Sequence, residues 1–255
     1  MSKLPEEYQF IDVSDYGRPI ARRIANSLKD TKFTPIDVTI GFIISGLLGV
    51  LCILLGNYWA ASFFLLLKSI LDAADGELAR IKDTPSYIGR YLDSVADIIL
   101  NFLILLAIAV ITDTHLLLAL LAFIGVQLQG TLYNYYYVIL RTKYDGDTTS
   151  RIIENEAPLA LNGENQKHVN ILFNLFKFFY SGFDKVIYLM DKSASTTKKI
   201  PKTVMTMVST FGLGFQLLLI SIFLITGFSD KIIIFFIFYT LMLFVFIGIR
   251  RSIRL

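Results

Sequence analysis

The sequence predicts an all-α integral membrane protein, with six transmembrane helices preceded by an amphipathic helix at the membrane surface. Three observations predict it. Of 255 residues, 55% are hydrophobic and only 18% charged, whereas soluble domains run nearer one-quarter charged. Six apolar stretches each approach or exceed the roughly 20 residues that cross a hydrocarbon core. Lysines and arginines gather almost entirely on one side of those stretches.

The first fifteen or so residues are polar. Ser14 or Asp15 is expected to cap a helix with Pro19 in its first turn. From Gly17 to Asp30, Ile20, Ala21, Ile24 and Leu28 fall on one face, and Arg18, Arg22, Arg23 and Lys29 on the other. That pattern suits an anionic membrane surface. The opening residues are too polar for a cleavable signal peptide, so the first span is expected to act as an uncleaved insertion signal. Residues 1–33 therefore read as a cytoplasmic N-terminal segment, and 34–255 as the membrane domain.

The spans fall at about residues 37–55, 58–82, 89–111, 115–140, 204–226 and 231–249. Cys52, the one cysteine, lies inside an apolar run and excludes an intrachain disulfide. Residues 141–203 form a long cytoplasmic loop between spans four and five, with turn signals at Asp145-Gly146-Asp147 and Asn162-Gly163. Its second part carries Phe173, Phe176, Phe178, Phe179, Tyr180 and Phe183 beside Lys177 and Lys185. This reads as a second interfacial helix, broken at Ser181-Gly182; Lys177, Asp184 and Lys185 argue against a further span. No internal repeat is evident.

Short loops on one side hold little basic charge: Gly56-Asn57, then Asp113, then Lys231. The other side holds Lys3, Arg18, Arg22, Arg23, Lys29, Lys32, Lys82 and Arg90, ten basic residues from Arg141 to Lys202, and Arg250, Arg251 and Arg254. Both termini are thus expected on the cytoplasmic side.

The chemistry concentrates in Asp72-Ala73-Ala74-Asp75-Gly76-Glu77-Leu78-Ala79-Arg80 and Gly89-Arg90-Tyr91-Leu92-Asp93-Ser94-Val95-Ala96-Asp97. At helical spacing Asp72, Asp75, Gly76 and Ala79 share a face, as do Gly89, Asp93 and Asp97 on the next helix. A turn near Thr84-Pro85-Ser86 would bring four carboxylates together. They repel, and each is costly in a membrane unless neutralised. Divalent cations with oxygen-only ligands, Mg²⁺ or Mn²⁺, resolve that conflict. Gly76 and Ala79 leave space for a ring or phosphate, Arg80 offers a fork for phosphate oxygens, and Asp97 can accept a proton from an attacking hydroxyl.

This stretch resembles the signature of the CDP-alcohol phosphotransferase family, D-x2-D-G-x2-A-R-x8-G-x3-D-x3-D, at each of its fixed positions. The resemblance implies that Asp72, Asp75, Asp93 and Asp97 bind two metal ions and that Asp97 is also the general base. It implies a nucleotide site at Asp75, Gly76, Ala79, Arg80 and Gly89, with Ser86 near the donor's phosphates. It further implies a homodimer of six-helix protomers in which an acceptor hydroxyl attacks a CDP-linked donor and CMP leaves. The chain departs from the family's usual Pro-Asn-x-x-Thr: Pro35 and Thr39 are present, but Ile36 replaces the asparagine.

The donor is expected to be CDP-diacylglycerol or a CDP-alcohol. The wording Gly76-Glu77-Leu78-Ala79-Arg80 resembles members using polyol or inositol-phosphate acceptors, which need basic residues such as Arg90, Arg141, Lys143 or Arg151. The alternative is a choline or ethanolamine phosphotransferase with a diradyl lipid acceptor, its quaternary amine held by Tyr133, Tyr135, Tyr136 or Tyr137. A cation transporter is opposed by the absence of repeats, and an inactive homologue by the intact motif. No nucleic-acid partner is expected. Lys68 is either a counter-ion to Asp72 or a phosphate contact. Glu77 points off the aspartate face and is expected at solvent or headgroups. Gln127, Gln129, Tyr133, Asn134 and Tyr137 either line an acceptor pocket or knit helices. The setting is the cytoplasmic membrane in a prokaryote, or the endoplasmic reticulum in a eukaryote.

Overall fold

The computed structural model describes residues 4–144, 154, 156–197 and 200–253, all helix, turn or irregular chain, with no strand among them. The helices are α1 (Arg18–Leu28), α2 (Pro35–Leu54), α3 (Tyr58–Ile81), α4 (Tyr87–Ile111), α5 (Leu116–Lys143), α6 (Gln166–Met190), α7 (Lys202–Val208), α8 (Leu213–Ile225), α9 (Ile232–Tyr239) and α10 (Met242–Ser252). The Asp145-Gly146-Asp147 turn, Arg151 and Arg254 lie outside the described residues.

The helix starts follow from side chains that accept orphan backbone donors. Thr34 and Asp37 form a reciprocal capping box at α2, with Pro35 in the first turn. Asn57 caps α3 and Ser86 caps α4. The expected cap of α1 differs: Gly17 stands there without a side-chain bond. Asp15 instead reaches Arg18, and Ser14 is turned toward Asp12.

Four stretches are long and apolar enough to cross a membrane: Pro35–Leu54, Tyr87–Ile111, Leu116–Lys143 and Ser229–Ser252. Lys202–Phe211 and Leu213–Ile225 together would make a fifth, bent by 50°. The sequence predicts six. The difference is α3, which has the length of a span but carries Lys68 near its middle and Asp72, Asp75, Glu77 and Arg80 in its second half. Outward-facing Ile44, Leu47, Leu51, Leu54 and Leu55 on and beside α2 are exposed, as surface in contact with lipid requires.

Two expected continuous spans are interrupted. A single 3-10 turn at Ser209–Phe211 separates α7 from α8. Between α9 and α10, Thr240 Oγ1 bonds back to the Phe236 carbonyl at 2.7 Å and meets Gln129 Nε2 at 3.0 Å, a pairing that loosens the helix ladder. Conversely, α6 runs unbroken through Ser181-Gly182. Nothing lies within 4 Å of where a Gly182 side chain would be, so no packing forces a bend there.

The N-terminal strap docks in the break between α7 and α8. The Val13 amide donates to Ser209 Oγ at 3.0 Å, and Tyr133 Oη donates to Asp12 Oδ2 at 2.5 Å. A side chain on Gly214 would meet the Ser14 carbonyl oxygen at 2.0 Å, so only glycine admits this close backbone approach. Gly214→Ala should push the strap off α8 and cost about 1–3 kcal/mol, the usual range for overpacking. Thermal unfolding in detergent, with limited proteolysis ahead of Arg18, measures it; an unchanged melting temperature and cleavage pattern would contradict the docking.

Candidate functional site

The second half of α3 and the first half of α4 build the site. Their connection is short: α3 ends at Ile81 and Ser86 caps α4, its Oγ accepting from the Gly89 amide at 2.8 Å. Asp83 turns the chain with a positive φ of 52°. The hairpin sets Asp72, Asp75 and Asp93 so that one carboxylate oxygen from each lies within 4.8 Å of the others. Thr39 of α2 donates to Asp75 Oδ2 at 2.6 Å, so the threonine faces the site although Ile36 replaces the expected asparagine. Asp93 Oδ1 is buried and has no hydrogen-bond partner.

Those observations fit a divalent cation. Three converging carboxylates, one held by the Thr39 hydroxyl and one with an orphaned buried oxygen, form a hard-oxygen donor set. Asp97 stands apart. It is bonded by Lys68 Nζ, which also approaches Asp72 Oδ2 at 3.6 Å. Lys68 is fully buried, with its ammonium 4.9 Å from the centre of the Phe42 ring. The structure thus brings three of the four aspartates together and places the fourth against a lysine.

Two cavities meet at this cluster. The larger, about 560 Å³, is lined by Thr39, Asp75, Gly76, Ala79, Arg80 and the Asp83–Ser86 turn, with Gly89 and Asp93. A side chain on Gly76 would find only the Arg80 guanidinium, at 3.5 Å, so the missing Cβ leaves open volume. Arg80 Nε is buried without a hydrogen-bond partner. Ser86 lines this cavity, but its hydroxyl is already bonded to Glu164 Oε1 at 2.7 Å as well as capping α4.

The smaller cavity, about 250 Å³, lies on the other side of the acids. Its wall includes Ser14, Arg18, Asp72, Tyr133, Tyr137 and Gly214. Asp75, Gly76, Arg80, Asp93, Asn134 and Arg141 line both cavities.

Other expectations divide. Asn134 lines the cavities, whereas Gln129 knits helices through Gln216 and Thr240. Tyr135 and Tyr136 bond to Asp191, so those hydroxyls serve packing. Arg90 lines the large cavity, paired with Glu154. Lys143 is directed to the Thr197 carbonyl instead. Glu77 is not at solvent: it is 2% exposed and ringed by Arg18, Arg22 and Arg80 at 2.5, 3.7 and 3.3 Å. Its periodicity showed that it leaves the aspartate face, but not that α1 lies across it.

Sequence reasoning missed the strap residues Asp12–Arg18 and the α6 residues Phe176, Tyr180 and Asp184 as cavity walls. Tyr180 Oη donates to the Ser94 carbonyl at 2.8 Å, tying α6 to α4. Burial, reinforced by the nearby Glu154 carboxylate, pushes Asp184 up to about 7.

A cluster of three acids on a helical hairpin, beside two cavities among helices long and apolar enough to cross a membrane, has the donor set for a divalent cation. Residues 33–152 match the family model described as CDP-alcohol phosphatidyltransferase. The matched segment takes in α2 to α5 and so contains the acids of the α3–α4 hairpin. It is also 37% identical over 112 residues to a bifunctional IPC transferase and DIPP synthase of Thermococcus kodakarensis, an alignment covering 43% of this chain and 26% of the relative. The chain thus matches about a quarter of that curated relative's length.

Two outcomes follow from the geometry. Gly76→Ala should stabilise α3 by up to about 1 kcal/mol yet fill cavity space, weakening any ligand seated over Gly76 while the melting temperature holds or rises. Calorimetric titration with a CDP nucleotide checks it; unchanged affinity would place the ligand elsewhere. Asp184 has a folded-state pKa raised above the ordinary 3.8, so the folded state holds its proton more tightly than the unfolded chain. Wild-type stability should therefore fall relative to Asp184→Asn as pH rises from about 4 to 7, and the gap should stay constant above that. Paired melting curves across pH measure the gap, and a pH-independent difference would refute it.

Proposed function

We propose that this protein is a membrane phosphotransferase of phospholipid biosynthesis. It moves a substituted phosphate from a CDP-linked donor to the hydroxyl of an acceptor alcohol and releases CMP. The carrying observation is the Asp72, Asp75 and Asp93 cluster standing where the two cavities meet. One cavity per substrate, with the ion site between them, is the arrangement a two-substrate transfer requires.

In this reading the nucleotide occupies the larger cavity, over Gly76 and Ala79, with Arg80 and Gly89 alongside. Ser86 serves as the α4 cap beside the donor's phosphates rather than as a ligand to them. Asp72, Asp75 and Asp93 hold Mg²⁺ or Mn²⁺. The bound ion supplies stabilisation of charge on the phosphate oxygens. The acceptor's hydroxyl oxygen forms a bond to the phosphorus bearing the lipid or alcohol, and that phosphorus loses its bond to CMP. The hydroxyl proton is assigned to Asp97, the aspartate not committed to the three-carboxylate cluster; because Asp97 lies outside both cavity linings, the acceptor must be drawn past Asp93 into its hydrogen-bond reach. Lys68, hydrogen-bonded to Asp97, orients the carboxylate for that role.

A polyol or inositol-phosphate acceptor with CDP-diacylglycerol fits best. Arg18, Arg80 and Arg141 line the small cavity with Ser14 and Asn134, a set suited to phosphate and hydroxyl groups. The relative named an IPC transferase and DIPP synthase agrees with that choice. The choline or ethanolamine alternative keeps Tyr133, Tyr135 and Tyr137 on the cavity walls, while Arg141 already lies over the Tyr137 ring and Tyr136 is bonded to Asp191 away from both cavities. The reading includes α3 as a further span, six in all with the bent pair, both termini cytoplasmic, and a homodimer.

The test is a panel of purified protein, CDP-diacylglycerol or CDP-ethanolamine, and several alcohols, with CMP release as readout. Release should require donor, acceptor and Mg²⁺ or Mn²⁺ together, and EDTA should abolish it. Asp93→Asn should lower turnover by about a hundredfold or more, in the range for lost charge stabilisation. Asp97→Asn should stop transfer while donor binding persists. No CMP from any pair, or full turnover in EDTA, would sink the proposal.

A further inference from the structure

Lys68 is the residue that the expected two-ion site does not accommodate. It lies one helical turn before Asp72, in the apolar part of α3, and none of it is exposed. A lysine this deep remains charged only if its ammonium is matched by acids. It is matched by Asp97, its hydrogen-bonded partner, and by Asp72 at 3.6 Å. Phe42, itself fully buried, presents its ring face 4.9 Å away and closes the remaining side.

That placement bears on the metal count. A second ion on Asp97 would have to share the carboxylate with the ammonium already bonded to it. In a low-dielectric setting two cations at such separation repel strongly. Asp97 also falls outside the group of carboxylates whose oxygens converge, and it lines neither cavity. Asp93 Oδ1, by contrast, is buried, unbonded and part of the converging group.

We propose that the Lys68 ammonium is a built-in cation taking the place of a second divalent ion at Asp97, leaving one ion site at Asp72, Asp75 and Asp93. The proposal rests on reading those three aspartates as an ion site. A tethered ammonium neutralises Asp97 without drawing another hydrated ion from water. It also leaves the Asp97 carboxylate free of metal, and Lys68 links it to Asp72 at the rim of the ion site. Lys68 is a positioning residue: it touches Asp97 and Asp72, not the substrates.

The test is Mn²⁺ titration of the full-length protein in detergent, followed by equilibrium binding and electron paramagnetic resonance. Wild type should take up one Mn²⁺ per chain, with the spectrum of an isolated ion. Lys68→Met keeps an unbranched apolar stem without the charge, and should admit a second Mn²⁺ with a spin-coupled spectrum. Asp97→Asn should retain the single ion with affinity within about threefold of wild type, because Asp97 is not its ligand. This last measurement decides the matter even if Lys68→Met does not fold. Two coupled ions in wild type, a loss of about tenfold or more in Asp97→Asn, or a folded Lys68→Met still limited to one ion would each overturn the inference. Two ions in wild type would leave the proposed function standing, whereas no Mn²⁺ bound at all would remove both.

Discussion

Neutralising acidic charge inside an apolar helical bundle is the constraint to which the rest of this structure conforms. Each buried carboxylate costs several kcal/mol unless charge or hydrogen bonds answer it. Asp97 is answered by Lys68, Asp75 by the Thr39 hydroxyl, and Glu77 by three arginines. Asp72, Asp75 and Asp93 still converge with too little positive charge around them.

The same economy recurs away from the site. Asp191, at the end of α6, is fully buried and receives Arg250, Arg251 and the Tyr136 hydroxyl. This cluster fastens the last turn of α10 to the long connection after α5. Glu154 likewise takes Arg90 and the Tyr91 hydroxyl beneath the α6 aromatics. Leaving one partner of such a pair alone is expensive, so these contacts fix which helix ends meet.

The segment matching the family supplies the acids and the floor of the cavities, while their walls come from elsewhere in the chain. Residues 33–152 include Thr39, the α3–α4 hairpin and Arg141. Asp12, Ser14 and Arg18 precede it, and Phe176, Tyr180, Asp184 and Gly214 follow it. The acids and the walls around them are thus carried by different parts of the sequence.

The sequence by itself determined the helical class, the apolar stretches, the α3–α4 hairpin and the identity of the acids. Those properties are local: the 3.6-residue period places Asp72, Asp75 and Gly76 on one face whatever surrounds them, and Thr34, Asn57 and Ser86 cap the helices that follow them. Only the tertiary structure decided which acids converge and which are already paired. Nothing in the spacing of Asp93 and Asp97 tells them apart, since both lie on the same face of α4. Lys68 on the neighbouring helix does, by reaching one and not the other. The strap and α6 were equally hidden, because a polar stretch or an aromatic-rich loop carries no periodic sign of the wall it will face. Their place is set by long-range packing, such as Ser14 against Gly214 and Tyr180 against Ser94, which no local pattern encodes.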